Sequence, residues 1–311
     1  MDRIAFLFSG QGAQYAGMGR ALRDASKAAA GVFALAERIR PGTAEQCFSG
    51  PKELLSRTEN TQPCVYSVDL AAAEALRENG IVPAAAAGFS LGEIAALTFA
   101  GVFSPEDGFA FVCRRGLAMS RAAAETRGSM AAVLKLSDET VRKLCGRYER
   151  VYPVNYNCPG QVAVAGEEAA LKRLCRDVAE AGGRAVPLAV SGAFHSPFMS
   201  PIVPELAREL ESVPVAPPAV PVYSDCTAAP YPGAPEEIRK NIAMQVDHPV
   251  LWRKIVEDMA AEGIGVFVET GPGRVLSGLV KKTLPAARIY HVEDAESLSK
   301  TLSALKEETR C

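Results

Sequence analysis

The 311-residue sequence has no run of about 18 uninterrupted apolar residues, the length that a membrane-spanning helix needs. Its amino end, MDRIAFLFSG, lacks the basic start, the long apolar segment and the cleavage site of a signal peptide. With 34 lysines and arginines against 36 acidic residues, the sequence also lacks an excess of either charge. We therefore expect a cytoplasmic protein that binds neither a membrane nor nucleic acid.

The cysteines lack the spacing of a metal site or of a redox motif. There is no C-x-x-C pair, and no histidine stands at metal-ligand spacing from a cysteine. Single cysteines at this frequency indicate reduced, mostly buried thiols and no structural metal. The eight are Cys47, Cys64, Cys113, Cys145, Cys158, Cys175, Cys226 and Cys311.

The hydrophobic pattern is typical of an α/β protein with a mainly parallel sheet. Apolar runs such as IAFLF near the amino end and AAAAGF at 84–89 alternate with longer amphipathic stretches, which predict helices at 65–79, from Ser90 and from Pro105. Between 128 and 187 the order becomes strand, helix, strand, strand, helix, strand, which is that of a ferredoxin-like unit. This order predicts a small inserted domain.

Residues 88–92, GFSLG, match the G-x-S-x-G nucleophile elbow. In that motif a sharp turn from strand to helix presents the serine, and small residues two positions away on either side avoid a backbone clash. Ser90 and Glu93 also match a capping box, S-x-x-E, which needs no catalysis. Because capping explains neither glycine, we favour Ser90 as a nucleophile.

A nucleophilic serine needs a base, and the sequence contains only three histidines. His291 alternates within a predicted strand, which favours a structural role. His248 precedes a proline, so it lies at an extended or turn position near the start of a helix. His195, in AVSGAFHSPFM, follows a strand and precedes Ser-Pro, the setting of a loop that presents a side chain. We favour His195 over His248.

The segment FSGQGAQ at 8–14 directly follows the first predicted strand. It fails the dinucleotide-binding pattern G-x-G-x-x-G, because Tyr15 stands at the third glycine position. Its backbone N–H groups could instead face an oxyanion, or the segment could be an ordinary turn, and the sequence leaves both open.

Two adjacent arginines lie on a predicted helix, in RRGLAMSRA. Arg115 has the apolar helical neighbours Phe111, Val112, Ala118 and Met119, an environment in which its fork would bind a carboxylate of the protein or of a substrate. Arg114 has neighbours that are just as apolar, so periodicity does not choose between the two.

Nine segments together resemble the malonyl-CoA:acyl carrier protein transacylases of fatty-acid synthesis and the related acyltransferase domains of polyketide synthases. The segments are FSGQGAQ, TQPCVYSVD, GFSLGE, RRGLAMSRA, GSMAAVL, NYNCPGQVAVAG, GAFHSPFM, QVDHPVLW and ETGPGRVLSGL, and they span nearly the whole chain in order. The resemblance implies an α/β-hydrolase-like large domain, formed by 1–126 and 191–311, with an inserted ferredoxin-like small domain at 127–190.

The resemblance also implies a role for each residue of the chemical machinery. The nucleophile would be Ser90, the general base His195 and the group that binds the substrate carboxylate Arg115. The backbone N–H groups of Gln11 and Leu91 would form the oxyanion hole, and the main-chain carbonyl of Gln245 would support the histidine in place of a triad carboxylate.

Three further residues are implied to shape the acyl pocket. Phe194, in GAFH, would fill the space that a 2-methyl group needs and so favour malonyl over branched acyl groups. Asn157 lies in the family motif NYNCPGQ. Phe89 departs from the family, which most often has histidine there, and this change would affect rate or acyl selectivity rather than abolish the chemistry.

The resemblance implies malonyl-CoA and acyl carrier protein as partners, no cofactor beyond the coenzyme A thioester substrate, and a monomer. Alternatives are a stand-alone polyketide-type acyltransferase, a serine thioesterase or hydrolase, and a non-catalytic module that binds carrier protein. Arg274, Lys281 and Lys282 would either receive an acidic carrier protein or be solvated at the end of a helix.

Overall fold

A computed structural model describes residues 3–308 of the chain. Within this range nine strands form two separate sheets. In chain order they are β1 (Arg3–Phe8), β2 (Ala85–Gly88), β3 (Gly128–Leu134), β4 (Val151–Cys158), β5 (Gln161–Glu167), β6 (Arg184–Pro187), β7 (Val222–Tyr223), β8 (Ile264–Thr270) and β9 (Arg288–Val292).

The helices predicted at 65–79, from Ser90 and from Pro105 correspond to α5, α6 and α7 of the structure. The full set over the same residues is α1 (Arg20–Ala25), α2 (Lys27–Ile39), α3 (Thr43–Ser49), α4 (Lys52–Leu55), α5 (Thr58–Glu78), α6 (Leu91–Phe99), α7 (Pro105–Glu125), α8 (Asp138–Cys145), α9 (Glu168–Glu180), α10 (Val203–Glu211), α11 (Pro235–Met244), α12 (Trp252–Ala261), α13 (Val275–Thr283) and α14 (Ala295–Glu308), with 3₁₀ helices at Pro197–Ile202 and Gln245–Asp247. No helix in the described part of the chain is both long enough and apolar enough to cross a membrane.

The larger sheet has the strand order β7-β2-β1-β8-β9, and every neighbouring pair is parallel. In the central strand β1, Phe6 and Phe8 pack on one face within the largest core cluster, whereas Ala5 and Leu7 pack on the other face with Trp252. Helices therefore cover both faces of this sheet, which explains why its strands are nearly continuous apolar runs in the sequence.

The smaller sheet has the order β4-β5-β3-β6, and its neighbouring strands are antiparallel. Helices α8 and α9 bury Val141 and Leu174 in one cluster with Val164 of β5. The order of strands and helices predicted for 128–187 is the order observed. This unit meets the rest of the chain at β4, where the amide of Tyr156 donates to the carbonyl of Val250 over 2.9 Å.

A sharp turn joins β2 to α6 at the carboxyl edge of the larger sheet. Ser90 has φ 56° and ψ −104°, a region that is strained for a residue with a side chain. A Cβ atom on Gly88 would lie 2.0 Å from the carbonyl carbon of Gly92, and one on Gly92 would lie 2.3 Å from the carbonyl oxygen of Phe8. Both glycines of the predicted elbow are therefore required by close backbone approach.

Gly92→Ala should destabilise the protein by at least about 3 kcal/mol, because the added methyl group meets the backbone of the central strand rather than a flexible side chain. Thermal unfolding would measure the loss. Gly31→Ala is the matched control: a Cβ atom on this helical glycine meets nothing within 4 Å, and its unfolding temperature should rise slightly. Similar unfolding temperatures for the two variants would contradict the close-approach explanation.

The cysteines of the described part of the chain are free thiols. Cys47, Cys64, Cys145 and Cys158 are buried, and Cys113, Cys175 and Cys226 are partly exposed. The remaining one, Cys311, lies outside the described residues. Within residues 3–308 no group of three or more histidine, cysteine or acidic side chains is arranged to hold a metal ion.

Candidate active site

Ser90 and His195 come together at the carboxyl edge of the larger sheet, although 105 residues separate them in the sequence. The Nε2 atom of His195 lies 2.7 Å from Ser90 Oγ. Its Nδ1 atom lies 3.0 Å from the carbonyl oxygen of Gln245 and 3.2 Å from that of His248. Since a carbonyl only accepts, the proton of the neutral ring belongs on Nδ1, which leaves Nε2 to accept the serine proton.

The side chains of the other two histidines make different contacts. The ring of His248 contacts the carbonyl oxygen of Met244 and the carboxylate of Asp247, and this residue offers only its main-chain carbonyl to His195. His291 lies on β9 at the edge of the sheet, where its Nε2 atom is 3.7 Å from Glu293 Oε1. The preference for His195 therefore agrees with the geometry.

His195 is buried and also has a positive φ of 59°. Burial, followed by the nearby positive charge of Arg115, lowers the pKa of the His195 imidazole to about 4. A histidine with this pKa is neutral at physiological pH, as a general base must be before it accepts a proton.

The rate of Ser90 acylation should consequently be nearly independent of pH between about 5.5 and 8, and should fall only as the solution approaches pH 4 and His195 becomes protonated. Single-turnover acylation at a series of pH values would measure this profile. An inflection near the ordinary histidine pKa of about 6.5 would contradict the effect of burial.

Arg115 is fully buried, and its guanidinium group points at the nucleophile. Nη2 donates to Ser90 Oγ over 3.1 Å and to Gln245 Oε1 over 2.6 Å, and Nη1 donates to Gln62 Oε1 over 2.7 Å. All of these acceptors are neutral. Burial lowers the pKa of Arg115 to about 10, which still leaves it charged at neutral pH.

The adjacent Arg114 has a different environment. Its exposed side chain forms an ion pair with Glu209 at the surface, whereas Arg115 faces the interior beside Ser90. The choice that periodicity left open is therefore made by the direction of the two side chains on α7.

A cavity of about 90 Å³ opens beside the nucleophile. The residues that line it are Gln11, Gln62, Phe89, Ser90, Leu91, Met119, Met130, Asn155, Leu188, Val190, Phe194 and His195. Six of the nine residues predicted to form the site, all except Arg115, Gln245 and Asn157, therefore lie on this wall. Arg115 and Gln245 are buried behind Ser90.

Asn157 lines a second cavity of about 220 Å³, which shares Gln11, Phe89, Asn155 and Leu188 with the first. The Oδ1 atoms of Asn155 and Asn157 are both buried and have no hydrogen-bond partner among the described residues. Asn155 was not predicted as a site residue. Alternation along β4 could have found it, because residues two apart on a strand lie on the same face.

Phe89 stands at the position where the transacylases that this sequence resembles most often have histidine. Its ring packs on that of Trp252, with 5.5 Å between the ring centroids, and it also lies against Gly10. Phe89 thus joins the wall of both cavities to the core of the large sheet, which favours a role in shape rather than in hydrogen bonding.

The capping-box interpretation of Ser90 and Glu93 is wrong. The Ser90 side chain makes no capping hydrogen bond, because the positive φ of the turn directs Oγ towards His195. Glu93 is buried and accepts hydrogen bonds from the Asp225 amide, from Gln245 Nε2 and from the Tyr231 hydroxyl.

Gln62, Asp225 and Tyr231 were not predicted as site residues. Gln62 lies within the motif TQPCVYSVD, but that motif indicated no role for it, and Asp225 and Tyr231 lie in none of the nine segments. Each of the three reaches the site from an element distant in the chain. Arg274 lies at the start of α13, and Lys281 and Lys282 lie in its last turn. Lys282 donates to Gln161 Oε1 over 3.2 Å, and Lys281 donates to the carbonyl of Pro285 over 2.7 Å. Docking of a carrier protein on them or on Arg274 stays a prediction.

Comparisons with known proteins agree with this geometry. A family model described as an acyl transferase domain matches residues 5–306. The malonyl CoA-acyl carrier protein transacylase of Bacillus subtilis is 36% identical over 99% of each chain. The crystal structure of a protein of that name from Clostridium perfringens has a TM-score of 0.94 and 37% identity, over 99% of this chain and 98% of that one. A further structure, a malonyl-transacylase in complex with a type II PKS acyl-carrier protein, has a TM-score of 0.93 and 34% identity over 97% and 99%. From this agreement in sequence, structure and site, the chain belongs to the acyl transferase family, among the malonyl CoA-acyl carrier protein transacylases.

Proposed function

We propose that this chain transfers the malonyl group from malonyl-CoA to the phosphopantetheine thiol of acyl carrier protein through a malonyl ester on Ser90. The observation that carries the proposal is the buried Arg115, which lies within 3.1 Å of the nucleophile and has only neutral hydrogen-bond acceptors. A cation there has a clear use if the acyl group itself carries a carboxylate, as malonyl does.

In the first half-reaction Ser90 Oγ would attack the thioester carbonyl while its proton passes to His195 Nε2, which is 2.7 Å away. The carbonyl oxygen becomes an oxyanion next to the amides of Gln11 and Leu91, at the amino end of α6. The carbon–sulfur bond then breaks, and His195 returns the proton to the coenzyme A thiolate.

The second half-reaction would be the reverse with a different thiol. The carrier protein's phosphopantetheine thiol gives its proton to His195 and attacks the malonyl ester, and Ser90 Oγ recovers a proton as its bond to the acyl carbon breaks. The carbonyls of Gln245 and His248 keep the ring oriented in both halves, with no carboxylate on Nδ1. Coenzyme A thus enters as part of the substrate, and no cofactor takes part.

The acyl pocket would exclude branched substrates through Phe194, which is buried on the wall of the cavity beside Ser90. Phe89 adds bulk to the same wall. Asn157 lines the neighbouring cavity, where its buried amide could contact the thioester arm.

The fold would be an α/β-hydrolase-like large domain, formed by 1–126 and 191–311, with a ferredoxin-like domain inserted at 127–190. The parallel sheet that carries the elbow supports the first description, and the antiparallel order β4-β5-β3-β6 with two helices supports the second. A monomer suffices, because one chain supplies the nucleophile, the base and the cation.

A serine hydrolase is the competing function, since it would share Ser90, His195 and an oxyanion hole. Incubation of the purified chain with malonyl-CoA, with and without holo acyl carrier protein, separates the two. Transfer predicts malonyl-carrier protein and little free malonate, whereas hydrolysis predicts release of malonate at the same rate in both reactions. Comparing carrier proteins of fatty-acid and polyketide synthesis would then identify the pathway.

A further inference from the structure

We propose that Asp225 is a positioning residue that holds the backbone amide of Ser90 and does so as a neutral, protonated acid. The inference rests on the proposed function only in taking Ser90 as the nucleophile. Asp225 directly follows Ser224, which comes after β7 at the edge of the larger sheet, and its side chain is fully buried beneath the elbow.

The contact between the two residues is direct. The amide of Ser90 donates to Asp225 Oδ2 over 2.7 Å, across 135 residues of sequence. Ser90 has left β2 and has φ 56°, so its amide has no partner in the sheet. The Asp225 carboxyl group therefore satisfies an N–H group that the strained turn would otherwise leave buried and unpaired.

The hydrogen bonds also show which of two buried acids carries the charge. Gln245 Nε2 has two hydrogens and three oxygens nearby: the carbonyl of Ser90 at 2.7 Å, Glu93 Oε2 at 2.6 Å and Asp225 Oδ2 at 3.2 Å. The two shorter bonds use both hydrogens. Asp225 is then left with a single full donor, the Ser90 amide.

Glu93, in contrast, is well supplied with donors. It accepts from Gln245 Nε2, the Tyr231 hydroxyl and the Asp225 amide, whereas Asp225 Oδ1 receives no hydrogen bond from any described residue. A buried carboxylate is stable only where donors surround it, so the negative charge belongs on Glu93 and the proton on Asp225.

The charged neighbours agree with this assignment. Arg115 on α7 is the nearby cation, and its Nη1 and Nη2 atoms donate to neutral oxygens rather than to Asp225. Glu93 faces Asp225 from α6, and Tyr231 and Cys226 face it from the segment that follows β7. Asp247 acts on the adjacent Cys226, and His195 contacts the main-chain carbonyl of Gln245. Burial, followed by the negative charge of Glu93, raises the pKa of Asp225 well above its usual range.

A neutral Asp225 favours the formation of the oxyanion. The oxyanion forms on the carbonyl attacked by Ser90, and a second negative charge behind the elbow would oppose it. With Asp225 neutral, the positive charge of Arg115 and the negative charge of Glu93 cancel, so these three buried side chains carry no net charge before the substrate binds.

The test compares Asp225→Asn with Asp225→Ala, using the rate at which a fluorophosphonate probe labels Ser90. Asparagine keeps an oxygen for the Ser90 amide and carries no charge, so its labelling rate should stay within about threefold of wild type, at a ratio constant from pH 5.5 to 8. Alanine removes the acceptor and should slow labelling at least about tenfold. Asp69→Asn is the matched control, at a second fully buried aspartate whose carboxyl oxygens have no hydrogen-bond partner among the described residues, and it should label like wild type.

Thermal unfolding gives a second readout. Asp225 must gain a proton on folding once the pH exceeds its unfolded pKa of about 3.9, and asparagine needs none. Asp225→Asn should therefore raise the unfolding temperature by at least about 2 °C at pH 7 and by much less at pH 4.

A lower unfolding temperature for Asp225→Asn at pH 7 would overturn the neutral form, as would a ratio of labelling rates that changes between pH 5.5 and 8. Labelling of Asp225→Asn as slow as that of Asp225→Ala would overturn the positioning role. The probe contains no malonyl group, so a chain that labels as expected but transfers no malonyl group contradicts the proposed function and leaves this inference standing.

Discussion

Ser90→Ala should abolish malonyl transfer, with a loss on the order of 10⁴-fold or more, because the proposed reaction proceeds through an ester on that oxygen. Ser90 Oγ lies 2.7 Å from His195 Nε2 and 3.1 Å from Arg115 Nη2. Intact-mass analysis after incubation with malonyl-CoA should show a malonyl adduct on the wild-type chain and none on the variant.

Ser104→Ala is a matched control for the loss of a hydroxyl group. Ser104 caps α7 at the surface by accepting from the amide of Asp107. Its replacement should cost about 1 kcal/mol of stability and leave the adduct intact. A malonyl adduct that persists in Ser90→Ala would assign the nucleophile to another residue and remove the basis of the proposed mechanism.

Arg115→Ala should lose malonyl transfer on the order of 10²- to 10³-fold, as expected when one partner of a buried charge pair is removed. The selective readout is the ratio of malonyl to acetyl transfer. Arg115 also holds Gln62 and Gln245, so both acyl groups will suffer from the disturbed elbow. Only the malonyl group has a carboxylate, which loses its cationic partner in this variant. The ratio of malonyl to acetyl transfer should therefore fall by at least about tenfold.

Arg114→Ala provides the matched control on the same helix. Its ion pair with Glu209 is exposed, so its removal should change stability by less than about 1 kcal/mol and leave the ratio unaltered. Equal losses of malonyl and acetyl transfer in Arg115→Ala would mean that the arginine supports the elbow and does not select the substrate.

Patterns within a few residues of one another predicted much of this molecule correctly. The run from β3 to β6 followed from periods of two and of about 3.6 residues, and the turn at Ser90 followed from its two flanking glycines. His195 was preferred over His248 from its loop setting alone, and it is the histidine that contacts Ser90. These signals are local because strand, helix and turn preferences depend on near neighbours in the chain.

The same kind of local pattern misjudged Glu93. A capping box needs an extended backbone at its first residue, and Ser90 has φ 56° instead. Glu93 is thereby free to accept hydrogen bonds from Asp225, Tyr231 and Gln245, which belong to segments more than 130 residues away. Nothing in S-x-x-E distinguishes the two arrangements until those segments have folded against the elbow.

The sequence by itself determined the order of strands and helices, the position of the elbow and, through nine motifs, membership of the family. Only the tertiary structure decided that Arg115 faces the nucleophile while Arg114 pairs at the surface, and that Asp225 holds the Ser90 amide. The physical reason is distance along the chain. Burial and long-range hydrogen bonds assign a role to a polar side chain, and both exist only after the parallel sheet has brought the ends of β1, β2 and β7 to one edge.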